Sequence, residues 1–340
     1  MPDCPLPAAL HYVDDSQPGL TRRRWRDRFH YFDASNQRVR DADTLARIAA
    51  LVIPPAYTDV WICADPQGHL QATGRDARGR KQYRYHTQWR ELRDQHKYGR
   101  MLAFAEALPK LRKQLDAHLA CPGLGREKIM ALVISLLDST LIRIGNRQYL
   151  RANRSYGLTT LNTRHVQVKG SQIRFQFRGK RGVEHNVTLT DRRLAGLVKR
   201  CMELPGQALF QYLDEQGQRH GIGSTEVNQF LQQLTGADFT AKDYRTWAGS
   251  SLALSLLRPL AWEPDSEARR QVADTVRQVA ARLGNTPAVC RRCYIHPAIL
   301  EHFQLGRLAD LPRARARKGL ELEEVSLLRF LQALARQNDH

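Results

Sequence analysis

The residues able to do chemistry in this 340-residue chain fall in five short segments. They are Leu141-Ile-Arg143-Ile-Gly-Asn146, Phe177-Arg-Gly-Lys180, Lys242-Asp-Tyr-Arg245-Thr-Trp, Gly284-Asn285-Thr-Pro287 and Arg291-Arg-Cys-Tyr294. A tyrosine oxygen can attack a reactive centre and store the broken bond as an ester. Arginines offer forked donors to anionic oxygens and do not lose their charge. A lysine can protonate a leaving oxygen if its pKa comes near the working pH. An asparagine amide donates a hydrogen bond but does not titrate. These side chains together could cut a phosphodiester without a metal ion. Singly they mean little, because a lone Arg on a helix is usually an ion-pair partner and a lone Tyr is usually packing.

The charge balance points to a polyanion. Lys and Arg number 53 against 34 Asp and Glu, a formal net charge of +19. The excess is uneven: residues 101–200 carry 19 basic and 6 acidic side chains, while residues 201–340 carry 17 and 16. A chain tuned only for solubility would spread it, so the middle third reads as contact surface for nucleic acid or an acidic membrane. Residues 75–100 interleave nine Lys/Arg with Tyr83, Tyr85, Trp89 and Tyr98. Cations reach phosphates while aromatic and amide groups reach sugars and bases. The chain has no GxxxxGK[ST], no GxGxxG after a strand and no HExxH, which argues against ATP hydrolysis and a zincin-type site. Cys290-Arg-Arg-Cys293 is a lone CxxC with no second ligand pair. Six cysteines make no disulfide framework. The first residues carry acids where a signal peptide has a basic region, and no apolar run approaches a membrane span. The expected setting is a reducing cytoplasm, with the protein associated with the nucleoid and not with a membrane.

These segments need positioning elements. Short extended pieces at Phe29–Asp33, Asp59–Ala64 and His69–Thr73 alternate with turn residues, and Asp43–Val52 has a helical apolar face. From about Thr87 the period turns helical. Helices are expected at Leu102–Leu119, Glu127–Ile142, Asp191–Met202, Thr225–Leu234, Ala241–Leu257, Ser266–Leu283 and Leu320–Ala335. Between them, Gln172–Arg178 and Val183–Leu189 alternate around glycine turns and predict a small three-stranded antiparallel sheet. Gly284 reads as a helix C-cap, and Thr286-Pro287 as the start of the next helix. Residues 313–317 read as a short, solvated basic loop. The fold class is α+β. A small strand-rich N-terminal domain at 1–96 precedes a larger, mainly α-helical domain at 97–340 that holds the small sheet. The boundary falls in the charged stretch 92–100.

In this order, the five segments resemble the poxvirus-like, bacterial branch of the type IB DNA topoisomerases, relatives of the tyrosine recombinases. Gly79–Tyr85 and the stretch 53–62 resemble N-terminal segments of the bacterial members, so the likeness covers almost the whole chain. It implies that Tyr294 is the nucleophile and that Arg143 and Arg245 bind the phosphate. It implies that Lys180 is the hairpin lysine and general acid. Asn285 stands where poxvirus enzymes have histidine, a departure that bacterial members share and that removes any acid–base role there. Lys242 and Tyr149 resemble accessory catalytic residues, and Arg80, Gln82, Tyr83 and Tyr85 resemble DNA contacts. The resemblance further implies a monomer acting as a C-shaped clamp on supercoiled duplex DNA, with no metal and no small-molecule cofactor. Its cycle is strand cleavage through a 3′-phosphotyrosyl link, rotation that relaxes positive and negative supercoils, and religation without ATP. Lys180 is expected to move freely before DNA arrives.

Two other readings stay open on residues alone. A tyrosine recombinase shares the Arg, Lys, Arg and Tyr set, but its N-terminal domain is usually helical where residues 1–90 read as strands. A non-enzymatic basic DNA-binding protein fits the charge, yet has no need of Tyr294 at its spacing from Asn285.

Overall fold

The computed structural model describes residues 9–264, 266–308 and 314–338; side chains at 93–97, 149, 152 and 338 lie outside that description. The chain divides into two compact units, Met1–Gly99 and Arg100–His340.

The first unit is built on an antiparallel sheet of β1 (Gly19–Trp25), β2 (Arg28–Phe32), β3 (Thr58–Cys63), β4 (Leu70–Arg75) and β5 (Lys81–Tyr85), in the order β2-β1-β3-β4-β5. Helix α1 (Ala42–Ala50) covers one face. Asp41 caps it by accepting from the Thr44 amide at 2.8 Å, and the Pro54-Pro55 pair forbids its continuation. Leu20, Ile48, Val60, Ile62 and Ala72 form the core beneath it, with Tyr31, Val39 and Tyr57 packed around. Arg22 ties the segment after α1 to the sheet by donating to the carbonyls of Ile53, Pro54 and Tyr57 at 2.7–3.2 Å. β1 and β5 are strands that the periodicity did not mark out, because Arg and Lys take three of seven positions in β1 and two of five in β5.

The charged stretch 92–100 is not a break in secondary structure. It lies inside one helix, α2 (Thr87–Ala120). The helical pattern read from about Thr87 holds, and the helix runs unbroken through the charged stretch, where an apolar stripe marked only Leu102–Leu119.

The second unit is mainly helical. α3 (Arg126–Thr140) is its centre: Ile129 through Ile134, Leu136 and Leu137 are all sealed from solvent. A helix surrounded on every side shows no amphipathic stripe. α4 (Arg147–Asn153) follows, then β6 (Val166–Lys169), β7 (Gln172–Arg178) and β8 (Glu184–Thr190). These strands form the expected antiparallel sheet, with Ile173, Phe175 and Phe177 turned inward. α5 (Arg192–Met202), capped by Asp191, packs on it. A small hairpin, β9 (Gln211–Leu213) and β10 (Arg219–Gly221), leads to α6 (Ser224–Thr235). α7 (Ala241–Leu257), α8 (Ser266–Leu283), α9 (Pro287–Cys293), α10 (Pro297–Gln304) and α11 (Leu322–Asn338) complete the unit.

A buried polar knot joins four of these helices. Arg112 of α2 grips the Asp138 carboxylate of α3 at 2.8 and 3.0 Å and the Glu324 carboxylate of α11 at 2.7 and 3.0 Å. Trp247 of α7 donates its indole N–H to Glu324 at 2.9 Å. Both carboxylates hold Arg112 firmly in its charged form, and Arg112 in turn draws Glu324 below its ordinary pKa against the upward pull of burial. Of the basic loop at 313–317, Arg315 and Arg317 are exposed and Arg313 lies outside the described residues.

Candidate active site

Arg143 enters its place through an unusual helix end. Leu141 terminates α3 in the left-handed region at φ 58°, a conformation that costs a leucine about 1–2 kcal/mol. The turn aims Arg143 into a cleft of about 250 Å³ that Lys180, Lys242, Arg245, Tyr156 and Tyr294 also line. Strain of this kind is kept where the surroundings over-determine it.

Arg245 lies in the second turn of α7. The start of that helix is set by Asp243, whose carboxylate accepts from both the amide and the hydroxyl of Thr240 at 2.8 Å. The Arg245 side chain is 4% exposed. It donates to the carbonyl of Leu141, and to that of Leu283 at 2.7 Å. These are the C-terminal ends of α3 and α8, where the helix dipole leaves partial negative charge. Two helix ends thus hold a guanidinium that would otherwise be costly to bury.

Asn285 follows the α8 C-cap Gly284, whose φ of +57° suits glycine. Arg143 donates to the Gly284 carbonyl at 3.1 Å and to the Asn285 side-chain oxygen. That bond spends the oxygen of the amide and leaves its NH2 for another acceptor. The Asn285 Nδ2 and the Arg245 Nε are both buried and have no partner. An unmet buried donor costs about 1–3 kcal/mol, so each of the two calls for an explanation. Each could donate to an anionic oxygen.

Tyr294 caps the C-terminus of α9, its amide bonded to the Cys290 carbonyl at 2.9 Å. Thr286 and Pro287 start that helix as expected. The Arg245 guanidinium carbon lies 5.2 Å from the Tyr294 ring centre, and Tyr294 is close enough to favour the charged form of both Arg143 and Arg245. Burial and the neighbouring Arg245 lower the Arg143 pKa to about 10, which leaves it a cation at neutral pH. Burial lowers Arg245 as well, and Tyr294 partly restores it. The close approach of α7 to this segment depends on Gly249: a Cβ there would sit 2.5 Å from the Tyr294 carbonyl oxygen. Ser250 completes the joint, donating to that oxygen at 3.3 Å and accepting from the His296 amide at 2.9 Å. Of the flanking cysteines, Cys290 is buried, which pushes its thiol up to about 11, and Cys293 is half-buried.

Residues 86–311 match the family described as the catalytic core of eukaryotic DNA topoisomerase I, and residues 28–76 match the N-terminal domain of bacterial DNA topoisomerase IB. The DNA topoisomerase 1B of Acanthamoeba polyphaga mimivirus is 31% identical over 296 residues, 84% of this chain and 88% of the viral protein. The chain belongs to the type IB DNA topoisomerases, in their poxvirus-like branch. Poxvirus relatives are more distant: the vaccinia virus (strain Copenhagen) DNA topoisomerase 1B is 24% identical over 259 residues, 73% of this chain and 78% of its own length. The DNA topoisomerase I of monkeypox virus stands at the same figures.

Of the residues singled out in sequence, Arg143, Lys180, Lys242, Arg245 and Tyr294 line one cleft of this type IB enzyme, with Asn285 bonded to Arg143 behind it. Lys180 sits on the turn between β7 and β8, closed by a Gly179 amide to Val183 carbonyl bond of 2.8 Å. Lys242 is exposed at the start of α7. Tyr149 lies in α4, with its side chain outside the described residues. Arg80, Gln82, Tyr83 and Tyr85 belong to the first unit. Asp76 accepts from Arg80 at 2.8 Å and from Gln82 at 3.0 Å, and Arg80 above all holds its carboxyl at about 2. Tyr83 and Tyr85 stack at 6.1 Å, and Tyr83 is half exposed.

Strand register adds residues that sequence reading passed over. Tyr83 pairs with Thr73, Thr73 with Trp61, and Trp61 with Thr21. Arg23 and Trp25 follow at alternate positions of β1, opposite His30 and Arg28. All lie on the sheet face away from α1, and Trp25 at the hairpin tip is 70% exposed. The five segments used in the sequence argument contain none of them. The signal was there, in TRRRWRDR at 21–28.

Proposed function

We propose that this topoisomerase relaxes positively and negatively supercoiled duplex DNA by passing one strand through a 3′-phosphotyrosyl intermediate, with neither ATP nor a metal ion. The observation that carries this reading is the pair of unmet buried donors, Arg245 Nε and Asn285 Nδ2, at the cleft that Tyr294 lines together with Arg143 and Arg245.

The Tyr294 oxygen attacks the scissile phosphorus and releases its proton to solvent, forming the phosphotyrosyl bond as the bond to the 5′-oxygen breaks. Negative charge gathers on the non-bridging oxygens. Arg143, Arg245 and the Asn285 amide offset it with donors that are already placed, each worth about 3 kcal/mol where measured in other enzymes. This is the role a divalent cation fills in two-metal nucleases. Lys180 gives its proton to the departing 5′-oxygen, since an alkoxide is a poor leaving group, and Lys242 assists that transfer. The free end rotates, and the 5′-hydroxyl then attacks phosphorus and returns the bond. The ester conserves the bond energy, so no ATP is consumed.

Residues 1–96 form the DNA-gripping half of a clamp and residues 97–340 the catalytic half, and one monomer suffices. Arg80, Gln82, Tyr83 and Tyr85 contact DNA. The enzyme works in the cytoplasm, on the nucleoid.

Plasmid relaxation in EDTA without ATP, with denaturant trapping of the DNA, tests the proposal. The expected result is relaxation of both supercoil signs and a covalent adduct at the 3′ end. Tyr294→Phe should lose the adduct and keep DNA affinity. Relaxation that persists in Tyr294→Phe would overturn the mechanism.

A further inference from the structure

A histidine that the mechanism above does not use lies between its parts. His185, on β8, pairs across the sheet with Phe177 and stacks flat on its ring, at 4.8 Å between centres and 6° between planes. Phe177 is buried in the inward face of β7, so the imidazole has a rigid backing. Two glycines meet its other sides. A Cβ on Gly179 would stand 2.6 Å from the ring, and a Cβ on Gly284 would stand 2.4 Å from its Cε1 atom. Neither position accepts a side chain while the ring is there.

These two glycines directly precede the residues that matter. Gly179 precedes Lys180 and opens the turn closed by the Gly179 amide to Val183 carbonyl and Gly182 amide to Gly179 carbonyl bonds, at 2.8 and 3.1 Å. Gly284 precedes Asn285, and its carbonyl takes the Arg143 hydrogen bond. One ring therefore touches both the turn that carries the proposed acid and the turn that carries Asn285 and holds the end of Arg143. Burial, then the nearby cations Arg143 and Arg245, lower its pKa to about 4. At neutral pH the ring is uncharged and adds no positive charge to a site already dense with it.

We propose that His185 is a positioning residue for Lys180: its imidazole is a neutral wedge that sets the lysine turn against the Gly284–Asn285 turn. The proposal rests on the role given to Lys180 above. It separates His185 from proton transfer, since what the ring supplies is shape.

Single-turnover cleavage of two DNA duplexes tests it. One carries the natural 5′-oxygen at the scissile phosphate; the other carries a bridging 5′-sulfur, which leaves without a proton donor. Misplacing a reacting group by about 1 Å can cost about 100-fold, so His185→Ala should slow the oxygen substrate about 10- to 100-fold and the sulfur substrate by less than about threefold. Lys180→Ala is the control and should show the same split. On the oxygen substrate the double variant should be no slower than Lys180→Ala alone. His185→Phe keeps a stacking ring and should recover most of the rate, which a proton-transfer role would forbid. If His185→Ala does not fold, His185→Asn is read on the same two substrates, with the same split expected. Equal losses on both substrates, an unchanged oxygen rate, or no recovery in a folded His185→Phe would each overturn the proposal. If wild type forms no adduct on either duplex, it is the functional reading that fails. If wild type cleaves both and Lys180→Ala shows the split while His185→Ala does not, only the wedge fails.

Discussion

Arg245 has two jobs, and they explain why a lysine would not replace it. Its two terminal nitrogens are held by the Leu141 and Leu283 carbonyls, which leaves Nε buried and unmet, the donor proposed to meet phosphate. A lysine has no third donor in a fixed plane. Arg245→Lys should therefore lower the single-turnover cleavage rate about 100- to 1,000-fold, the usual loss for one preorganised donor, while duplex affinity changes little. Asn285→Ala removes a neutral donor and frees the end of Arg143, and should fall in the same range or somewhat below. His185 supplies a pH test at the same scale. Its folded pKa of about 4 is below the ordinary value of 6.5, so the unfolded chain binds a proton that the folded one refuses. Stability linked to His185 is fully present above pH 6.5 and drains away as the pH falls toward 4. Thermal unfolding across that window should show a steeper loss in wild type than in His185→Phe. Spacing made Tyr294 and its partners legible, but not His185, because a histidine on a strand has no diagnostic period and its two glycine neighbours lie 6 and 99 positions away.

At the scale of elements, helix α7, which carries Arg245, is anchored by buried polar bonds. Trp247, two residues past Arg245, bonds to Glu324 of the last helix, which shares Arg112 with Asp138. Removing one member of such a buried set leaves the others uncompensated, at about 3–5 kcal/mol. Glu324→Ala should lower the unfolding free energy by that order, read by denaturant titration, with cleavage per folded molecule little changed. Because the Glu324 pKa is depressed, its share of stability is present above its unfolded value near 4.5 and is lost as the pH falls through the folded one. Sequence periodicity found α11 through Val325, Leu328, Leu331 and Leu334, but not its polar link to α7. The partners are drawn from residues 112, 138, 247 and 324, and no local pattern relates positions so far apart. The continuity of α2 across residues 92–100 was missed for the opposite reason. Residues 87–100 hold few apolar residues, and periodicity is silent where nothing apolar repeats.

For the molecule as a whole, the charge is the long-range signal. A protein of net charge +19 binds DNA with an affinity that falls steeply with salt, by a log–log slope of about 0.9 per phosphate neutralised. The outward face of the N-terminal sheet carries Arg23, Trp25, Arg28 and Tyr83 in register across its strands. Replacing Arg23 and Arg28 by Gln should weaken duplex binding by Tyr294→Phe protein and reduce the salt slope by about 2, or about 1 per arginine. An unchanged slope would remove this face from the DNA interface.

The amino-acid sequence by itself determined the class of fold, the residue types of the site and their order. Those depend on local properties: apolar period, turn residues, caps and the identity of each functional group. Tertiary structure alone decided that two helix ends neutralise Arg245, that Asn285 turns its oxygen to Arg143 and keeps its NH2 unmet, that Gly249 admits the Tyr294 segment and that His185 lies between two turns. Each of these is a contact between positions distant in the chain, and such contacts follow from how the helices close around α3, which no single segment encodes.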